Sequence, residues 1–229
     1  NEVLAKVPET TKQETEKAVE VAKRTFSKEW RGAPVNERLD PLFKYVEVLE
    51  KHQADIARTL VKEHGKEWSA AMGEITRTIQ MVQSACSVIE TQKGNFSENV
   101  ALEIDEYSIL RPLGVFAMIP PFNFPAMVPW WFIPFAIAVG DTYVLKANEV
   151  CPMTQNHMFR LLDEELDLPD GVVNLINGGP EVGQELIAHP DIEGISFVGS
   201  TPVARNIYKS AAKEGKRVQA QAGANNFHV

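Results

Sequence analysis

The stretch from Pro112 to Glu149 constrains the fold of this chain more than any other part of the sequence. Gly114 to Ile119 is a short apolar run rich in β-forming residues, which predicts a buried strand. Ala126 to Val139 is almost wholly apolar and predicts a helix that ends at Gly140. Tyr143 to Leu145 predicts the next strand. The stretch therefore predicts a β-α-β unit with polar groups at the strand ends, where open α/β sheets bind ligands.

The rest of the pattern surrounds this unit with helices and further strands. Thr11 and Glu14 have the spacing of a capping box, which predicts the start of a first helix that runs to about Trp30. Five strand–helix steps from Gly114 onward predict a mostly parallel, doubly wound, Rossmann-like sheet behind these leading helices. The other expected elements are a strand fragment at 1–7, helices at 36–50, 53–63, 66–91, 154–166, 181–187 and 202–212, and strands at 172–176, 194–198 and 217–220.

Residues 95–110 differ from their surroundings because apolar and polar residues alternate along them. This period predicts a two-stranded antiparallel hairpin that turns around Asp105–Glu106. The expected organisation is a helical part at 1–94, this hairpin at 95–111 and a Rossmann-like core at 112–229, the first and last forming one continuous cofactor domain.

Composition excludes several classes of partner. The net charge of −8 argues against a nucleic-acid backbone as ligand. The longest apolar run, at 126–139, is about 14 residues and suits a buried helix better than a membrane span. The first residues show no basic region followed by an apolar stretch, so no signal peptide is expected. Two cysteines provide no disulfide framework, and a reducing cytoplasmic setting is the default expectation.

Several motifs together resemble the NAD(P)-dependent aldehyde dehydrogenase superfamily over essentially the whole chain. They include PLGVFAMIPPFNFP at 112–125, VLKANE at 144–149, EHGK at 63–66, GEI at 73–75 and SFVGST at 196–201. The chain contains no GxGxxG, so it lacks the usual dinucleotide fingerprint. Three further segments resemble the CoA-acylating methylmalonate- and malonate-semialdehyde dehydrogenase branch: QSACSV at 83–88, PPFNFPAMVPWWFIPF at 120–135 and GKRVQAQAGANNFHV at 215–229.

The resemblance implies an incomplete aldehyde dehydrogenase fold that corresponds to about the first half of the family's chain. The family nucleophile, a cysteine, is expected a few tens of residues beyond Val229, so the isolated chain is expected to be inactive. The implied reaction is NAD-dependent oxidation of an acid-bearing semialdehyde through a cysteine thioester, with coenzyme A as co-substrate. The resemblance also implies a homo-oligomer, a dimer or tetramer, in which the hairpin belongs to the oligomerisation arm.

Asn123 is the candidate catalytic residue of this chain. It lies between Phe122 and Phe124 in a proline-bounded loop, and on sequence chemistry alone it reads as a turn asparagine that makes local backbone bonds. The family resemblance implies a different role, in which its side-chain amide stabilises the oxyanion formed when a thiolate attacks an aldehyde.

Lys146 and Glu149 follow a predicted parallel strand. There they can hydrogen-bond the adenosine ribose, and a carboxylate favours NAD over NADP, although a solvated loop pair is the plainer reading without the family. The family motif has proline where this chain has Ala147. The helix that opens at Ser200 after Gly199 offers free N–H groups to a pyrophosphate, or is an ordinary serine cap. The cofactor-binding residues expected from the resemblance are Pro120, Phe122, Lys146, Glu149, Val150, Gly179, Phe197, Gly199, Ser200, Gln221 and Ala222.

Gln221 and Arg77 bear on the type of reaction. In the hydrolytic branch of the family a glutamate at the position of Gln221 acts as general base on water, and an amide cannot take that proton. The resemblance therefore favours transfer of the acyl group to CoA, with an inactive relative as the alternative. Arg77 corresponds to an arginine that meets the substrate carboxylate in the semialdehyde branch, whereas an arginine on a helix is ordinarily solvated.

The remaining nucleophile and metal candidates are rejected. Cys86 falls on the apolar stripe of a predicted helix and Cys151 precedes Pro152, and neither matches the family nucleophile. The histidines show no metal-ligand spacing, so no metal is expected. Two other functions remain open: a hydrolytic aldehyde dehydrogenase, which CoA dependence would separate, and a non-catalytic NAD-binding or assembly module.

Overall fold

The computed structural model describes residues 3–225 of the chain. Helices precede the sheet, as the apolar spacing predicts. The first helix begins with the expected capping box, in which Thr11 and Glu14 exchange side-chain and backbone hydrogen bonds. Gly65 ends the third helix in the left-handed conformation, as expected. The leading helices are α1 (Lys12–Lys28), α2 (Val35–Lys51), α3 (Gln53–His64), α4 (Trp68–Ala85) and the single turn α5 (Val88–Thr91).

A hairpin and a parallel sheet follow, in chain order. The hairpin consists of β1 (Phe96–Ala101) and β2 (Ile104–Tyr107). The sheet strands are β3 (Val115–Ile119), β4 (Thr142–Lys146), β5 (Val173–Ile176), β6 (Ile192–Val198) and β7 (Arg217–Gln221). The helices between them are α6 (Ile133–Val139), α7 (Met153–Glu165), α8 (Pro180–Ala188) and α9 (Thr201–Lys213).

The sheet has the strand order β5-β4-β3-β6-β7, and all of its neighbouring strands are parallel. The chain winds outward from β3 through β4 to β5, then returns to place β6 on the other side of β3. Loops that leave the carboxyl ends of β3 and β6 therefore run to opposite sides, and this is the position at which open α/β sheets form a ligand-binding crevice. The expected doubly wound α/β fold with leading helices and a small antiparallel hairpin is confirmed.

Two apolar clusters bury the two faces of the sheet. On one face Met118 and Leu145 pack with residues of the helical layer such as Leu42, Ile75 and Trp130. The other cluster joins sheet residues to α1, α8 and α9, and includes Val19, Val115, Val144, Leu186 and Ile207. All five residues of β4 are buried, and its middle residues, Tyr143 to Leu145, are apolar, as expected of a strand that is covered on both faces.

The prediction of one helix over 126–139 is wrong. The chain instead makes a 3-10 turn at Pro129–Trp131 and then starts α6 at Ile133. Pro134 has no N–H to donate, and its ring would collide with the carbonyl four residues earlier, so it occupies the first turn of a new helix. Gly140 ends this shorter helix in the left-handed conformation, as expected.

Three other boundaries differ from the expectations. Residues 3–7 form no strand in the described part of the chain, and Asn1 and Glu2 lie outside it. The helix predicted at 66–91 begins later, because the Glu67 side chain caps α4, and it is interrupted after Ala85. The hairpin turns at residues 102–103 instead of Asp105–Glu106, where Glu103 adopts a positive φ of 61°.

None of the helices in residues 3–225 combines the length and apolar character that crossing a bilayer requires.

Candidate functional site

The carboxyl edge of the parallel sheet gathers most of the residues that the sequence nominated. Pro120 follows β3, Lys146 ends β4, Gly178 and Gly179 follow β5, and Gly199 follows β6. Since parallel strands end at the same edge, side chains from distant parts of the chain lie along one crevice.

The loop at residues 120–128, called here the Asn123 loop, leaves β3 at the centre of this edge. Phe122, Asn123 and Phe124 are exposed, whereas Pro125 and Ala126 are buried and anchor the loop to the helical layer. Within residues 3–225 the Asn123 side-chain amide makes no hydrogen bond, so the local backbone bonds of an ordinary turn asparagine are absent there. The amide is therefore available to a ligand in the crevice.

A buried carboxylate and an ammonium group hold the Asn123 loop from the helical layer. Glu74 accepts hydrogen bonds from the backbone N–H groups of Ala126 and Met127, at 2.9 and 3.1 Å. Its other oxygen lies 2.5 Å from the Lys66 ammonium, which also donates to the Asn123 carbonyl at 2.8 Å. One ion pair thus holds the loop backbone both at Asn123 and at Ala126 and Met127.

Two amides fix the ends of the same loop. The Gln155 side chain on α7 donates to the Pro125 carbonyl, and to that of Ala126 at 3.3 Å. The Asn148 amide, from the segment after β4, donates to the Pro120 carbonyl at 3.2 Å. These bonds link the Asn123 loop to the loop that carries Glu149.

Lys146 is almost wholly buried at the end of β4, and its ammonium group is fully engaged. It donates to the carbonyls of Gly178 (2.7 Å) and Ala147 (3.1 Å) and to the Glu149 carboxylate (3.0 Å). Glu149 is about half exposed and lies three residues beyond the end of β4. Partial burial raises its pKa, but a hydrogen bond from its own backbone N–H and the bond and charge of Lys146 outweigh this, so the pKa lies below its usual value. Glu149 is therefore an anionic acceptor beside a fixed cation.

The turn after β5 is shaped by glycine. Gly178 adopts a φ of +147°, and a Cβ there would lie 2.6 Å from the Val182 side chain. Its carbonyl is the one that accepts the shortest Lys146 bond. Gly179 then occupies the cap position of α8. The turn consequently braces the Lys146–Glu149 pair from the neighbouring strand.

The helix that follows β6 opens toward the crevice without a side-chain cap. Ser200 occupies the cap position of α9, yet its hydroxyl accepts no hydrogen bond from the first turn in the described structure. A Cβ on Gly199 would lie 2.5 Å from the buried Phe197 ring, so only glycine lets the backbone approach there. Pro202 has no N–H, so the donors that the first turn of α9 can offer to an anion are the backbone N–H groups of Thr201 and Val203.

Gln221 and Ala222 lie at the end of β7, on the outer side of the sheet. The Gln221 carbonyl accepts the Gly199 N–H at 3.1 Å, so its backbone helps to shape the turn after β6. Val150 is exposed just beyond Glu149. Arg77 stands apart from these residues: it is exposed on α4, one turn after Glu74, and donates to Gln80 on the same helix at 3.1 Å.

The two cysteines have the environments of structural thiols. Burial raises the pKa of Cys151 to about 11, with Glu63 adding to the effect, so the thiol stays protonated near neutral pH. Cys86 is partly buried against the core, and burial raises its pKa as well. Within residues 3–225 no group of three or more His, Cys, Asp or Glu side chains is arranged to hold a metal ion.

Sequence reasoning missed Lys66, Glu74, Glu63 and Gln155 as parts of this arrangement. The first three fall in EHGK and GEI, motifs that point to the family but not to a contact. The loop residues that they hold, Asn123 for Lys66 and Ala126 for Glu74, lie 57 and 52 positions further along the chain, so no local spacing could reveal these contacts.

Comparisons with known proteins agree with this architecture. The family model described as "Aldehyde dehydrogenase family" matches residues 1–229. Malonate-semialdehyde dehydrogenase 1 of Geobacillus kaustophilus (strain HTA426) is 44% identical over 228 residues, which is 100% of this chain and 46% of that protein. The chain thus spans about half the length of the curated relatives it matches.

Two solved structures resemble the chain closely. Methylmalonate-semialdehyde dehydrogenase from Oceanimonas doudoroffii superposes with a TM-score of 0.91 at 42% identity, covering 95% of this chain and 44% of that one. Betaine aldehyde dehydrogenase from Staphylococcus aureus, solved in complex with NAD+, gives a TM-score of 0.92 at 26% identity, covering 97% and 44%.

Proposed function

Because the chain belongs to the aldehyde dehydrogenase family, we propose that it forms the cofactor-binding part of an NAD-dependent, CoA-acylating semialdehyde dehydrogenase. The observation that carries the proposal is the convergence at one sheet edge of an unengaged Asn123 amide, the Lys146–Glu149 pair and the uncapped start of α9. The nucleophilic cysteine would come from outside this chain.

The donor set at this edge fits a dinucleotide. The free N–H groups at the start of α9, with the close approach that Gly199 allows, suit the pyrophosphate. The Glu149 carboxylate suits the hydroxyls of the adenosine ribose and repels a 2′-phosphate, which favours NAD over NADP. When bound, the nicotinamide supplies the acceptor for the hydride. Pro120, Phe122, Val150, Gly179, Phe197, Gln221 and Ala222 complete the proposed cofactor-binding set.

Asn123 is the proposed catalytic residue of this chain. A thiolate that attacks an aldehyde converts the carbonyl oxygen into an oxyanion, and an amide N–H held at that oxygen stabilises the transition state by a few kcal/mol. The exposed, unengaged Asn123 side chain in a loop with a fixed backbone meets this requirement. Loss of hydride then leaves a thioester on the cysteine.

Transfer of the acyl group to CoA is the proposed fate of this thioester. Gln221 cannot act as general base on water, so hydrolysis lacks the group that it requires in the hydrolytic branch. With malonate or methylmalonate semialdehyde, decarboxylation of the acid would give acetyl-CoA or propionyl-CoA. The relatives named for these semialdehydes support the substrate class, and the exposed guanidinium of Arg77 is the proposed partner of the substrate carboxylate. The two free thiols fit the proposed reducing, cytoplasmic setting.

The test is a CoA-dependent assay on the full-length protein. Malonate semialdehyde and NAD are supplied with and without CoA, NADH is followed by absorbance, and products are identified by mass spectrometry. We expect steady turnover only with CoA, and acetyl-CoA as product. Formation of free carboxylate at the same rate without CoA would contradict acyl transfer, and NAD binding without turnover of any semialdehyde would favour a non-catalytic module.

A further inference from the structure

We propose that Lys66 and Glu74 are positioning residues that set the place of Asn123 during catalysis. The proposal rests on the proposed function, because it assigns the ion pair a role in placing the oxyanion-stabilising amide. The charged groups of both residues are engaged with each other and with the loop backbone, so neither is assigned a reacting role. Both act through the backbone of the Asn123 loop.

The contacts form a continuous bridge across that loop. One oxygen of the Glu74 carboxylate accepts hydrogen bonds from the N–H groups of Ala126 and Met127, and the other accepts one from the Lys66 ammonium. Lys66 then donates to the carbonyl of Asn123 itself. The side chains of Glu74 and Lys66 are only 1% and 11% exposed, so water competes little for these bonds.

Lys66 also contacts the loop through an aromatic ring. Its ammonium lies 4.2 Å from the centre of the Phe124 ring, within the range of a cation–π interaction. One cation thus holds both the carbonyl of Asn123 and the side chain of the next residue. These contacts hold the loop at two adjacent residues.

The bridge is anchored in a rigid part of the molecule. Lys66 lies in the tight turn between α3 and α4, which Gly65 permits by its φ of +75°, and Glu74 lies on α4 two turns into that helix. Ile75 and Ile79 of α4 are buried in the core. The well-packed helical layer therefore fixes the backbone of the Asn123 loop, whose tip is exposed.

The position of the Asn123 amide has a direct effect on the reaction rate. An oxyanion donor acts only when it lies about 2.7–3.1 Å from the developing negative charge. A misplacement of about 1 Å can cost about 100-fold in rate. Lys66 holds the backbone carbonyl of Asn123, whose side-chain amide must lie within this distance of the oxyanion. Loss of the Lys66 hydrogen bond should therefore lower kcat more than it weakens cofactor binding.

A double-mutant cycle in the full-length enzyme tests the proposal. The variants are Lys66→Met, Asn123→Ala and their combination, with Lys62→Met, an exposed lysine on α3, as the matched control. We expect Lys66→Met to lower kcat about 10- to 100-fold while the Kd for NAD changes less than about threefold. In the Asn123→Ala background the same substitution should lower kcat less than about threefold, because the group it positions is gone.

The outcomes separate this proposal from the proposed function. Equal losses of kcat in both backgrounds overturn the positioning role and leave CoA-dependent turnover, and hence the function, intact. An unchanged kcat in Asn123→Ala overturns both the oxyanion role and the positioning role. If Lys66→Met fails to fold because Glu74 is left as an unpaired buried charge, Lys66→Met combined with Glu74→Gln replaces it in the cycle. That pair keeps an oxygen for the Ala126 and Met127 N–H groups, and additive losses with it would again overturn the proposal.

Discussion

Lys146 and Lys66 show how individual charges organise this molecule. Each ammonium group is largely buried and is satisfied by one carboxylate and by backbone carbonyl oxygens of a loop. Burial of an unpaired ammonium group would be costly, and these partners offset that cost. The consequence is that each lysine fixes the backbone of a loop at the crevice.

Asp141 is a buried carboxylate whose partners lie at the start of β3. One of its oxygens accepts the N–H groups of Leu113 and Gly114, at 2.7 and 2.9 Å. Burial raises its pKa to about 6, and these bonds and the charge of Arg38 only partly offset the effect. The folded chain therefore holds the Asp141 proton more tightly than the unfolded chain, where the pKa is near 3.8.

The first prediction concerns the pH dependence that follows. A raised pKa stabilises the folded state fully below about pH 3.8, and this contribution is lost as the pH rises through about 6. Asp141→Asn removes the titration but keeps an oxygen for both N–H groups. The free energy of unfolding of the variant relative to the parent should rise by up to about 3 kcal/mol across that window and then level off.

Urea unfolding at a series of pH values measures this difference. Asp163→Asn, at an exposed position on α7, is the control and should follow the parent at every pH. A difference between Asp141→Asn and the parent that stays constant with pH would show that the buried carboxyl does not titrate in this window.

At the scale of elements, helix α7 begins without a cap from its own sequence. Pro152 occupies the cap position and offers no side-chain acceptor. Glu63, near the end of α3, supplies the missing acceptor. Its carboxylate accepts hydrogen bonds from the N–H groups of Met153 and Thr154, the latter at 2.9 Å, and from the Thr154 hydroxyl. A residue about 90 positions earlier thus satisfies the orphan donors of this helix.

Removal of that carboxylate should destabilise the fold. Glu63→Ala leaves backbone donors at the start of α7 without a partner, and we expect the free energy of unfolding to fall by about 2 kcal/mol. Chemical denaturation measures the loss. Glu47→Ala, at an exposed glutamate on α2, is the control and should change stability by less than about 0.5 kcal/mol. Equal effects of the two substitutions would mean that water replaces the cap.

At the scale of the whole molecule, the hairpin has no buried face in the part of the chain that the structure describes. All residues of β1 and β2 are exposed, including Phe96 (67%), Tyr107 (74%) and, in the turn, Leu102 (91%). Phe96 and Tyr107 are cross-strand partners and form one apolar pair. Exposed apolar area of this kind favours association, in line with the homo-oligomer that the family resemblance implies.

The third prediction tests that surface in the full-length protein. Phe96→Ser combined with Tyr107→Ser should reduce the mass measured by light scattering to that of a smaller assembly, because the apolar contact area is lost. Tyr208→Ser, an exposed tyrosine on α9, is the matched control and should leave the mass unchanged. An unchanged mass in the hairpin variant would place the subunit contacts elsewhere.

Local pattern accounts for much of the fold and for the location of the site. Periodicity predicted the leading helices, the strands and their parallel arrangement, and the motifs nominated Asn123, Lys146, Glu149 and Gly199 at what is one edge of the sheet. Pattern failed where a single residue overrides propensity, as Pro134 does in the predicted helix at 126–139, and where strand formation needs a neighbour, as at residues 3–7. The roles of the nominated residues stay predictions.

The sequence by itself determined the class of fold and the chemical groups available, because hydrophobic period and motif identity are properties of neighbouring residues. Only the tertiary structure decided how these groups are held. The Lys66–Asn123 and Glu74–Ala126 bonds join residues 57 and 52 positions apart, and Glu63 reaches Thr154 across 91. The packing of helices against the sheet brings these partners together. A buried charge needs a donor or acceptor that is near in space, and that group can lie far away along the chain.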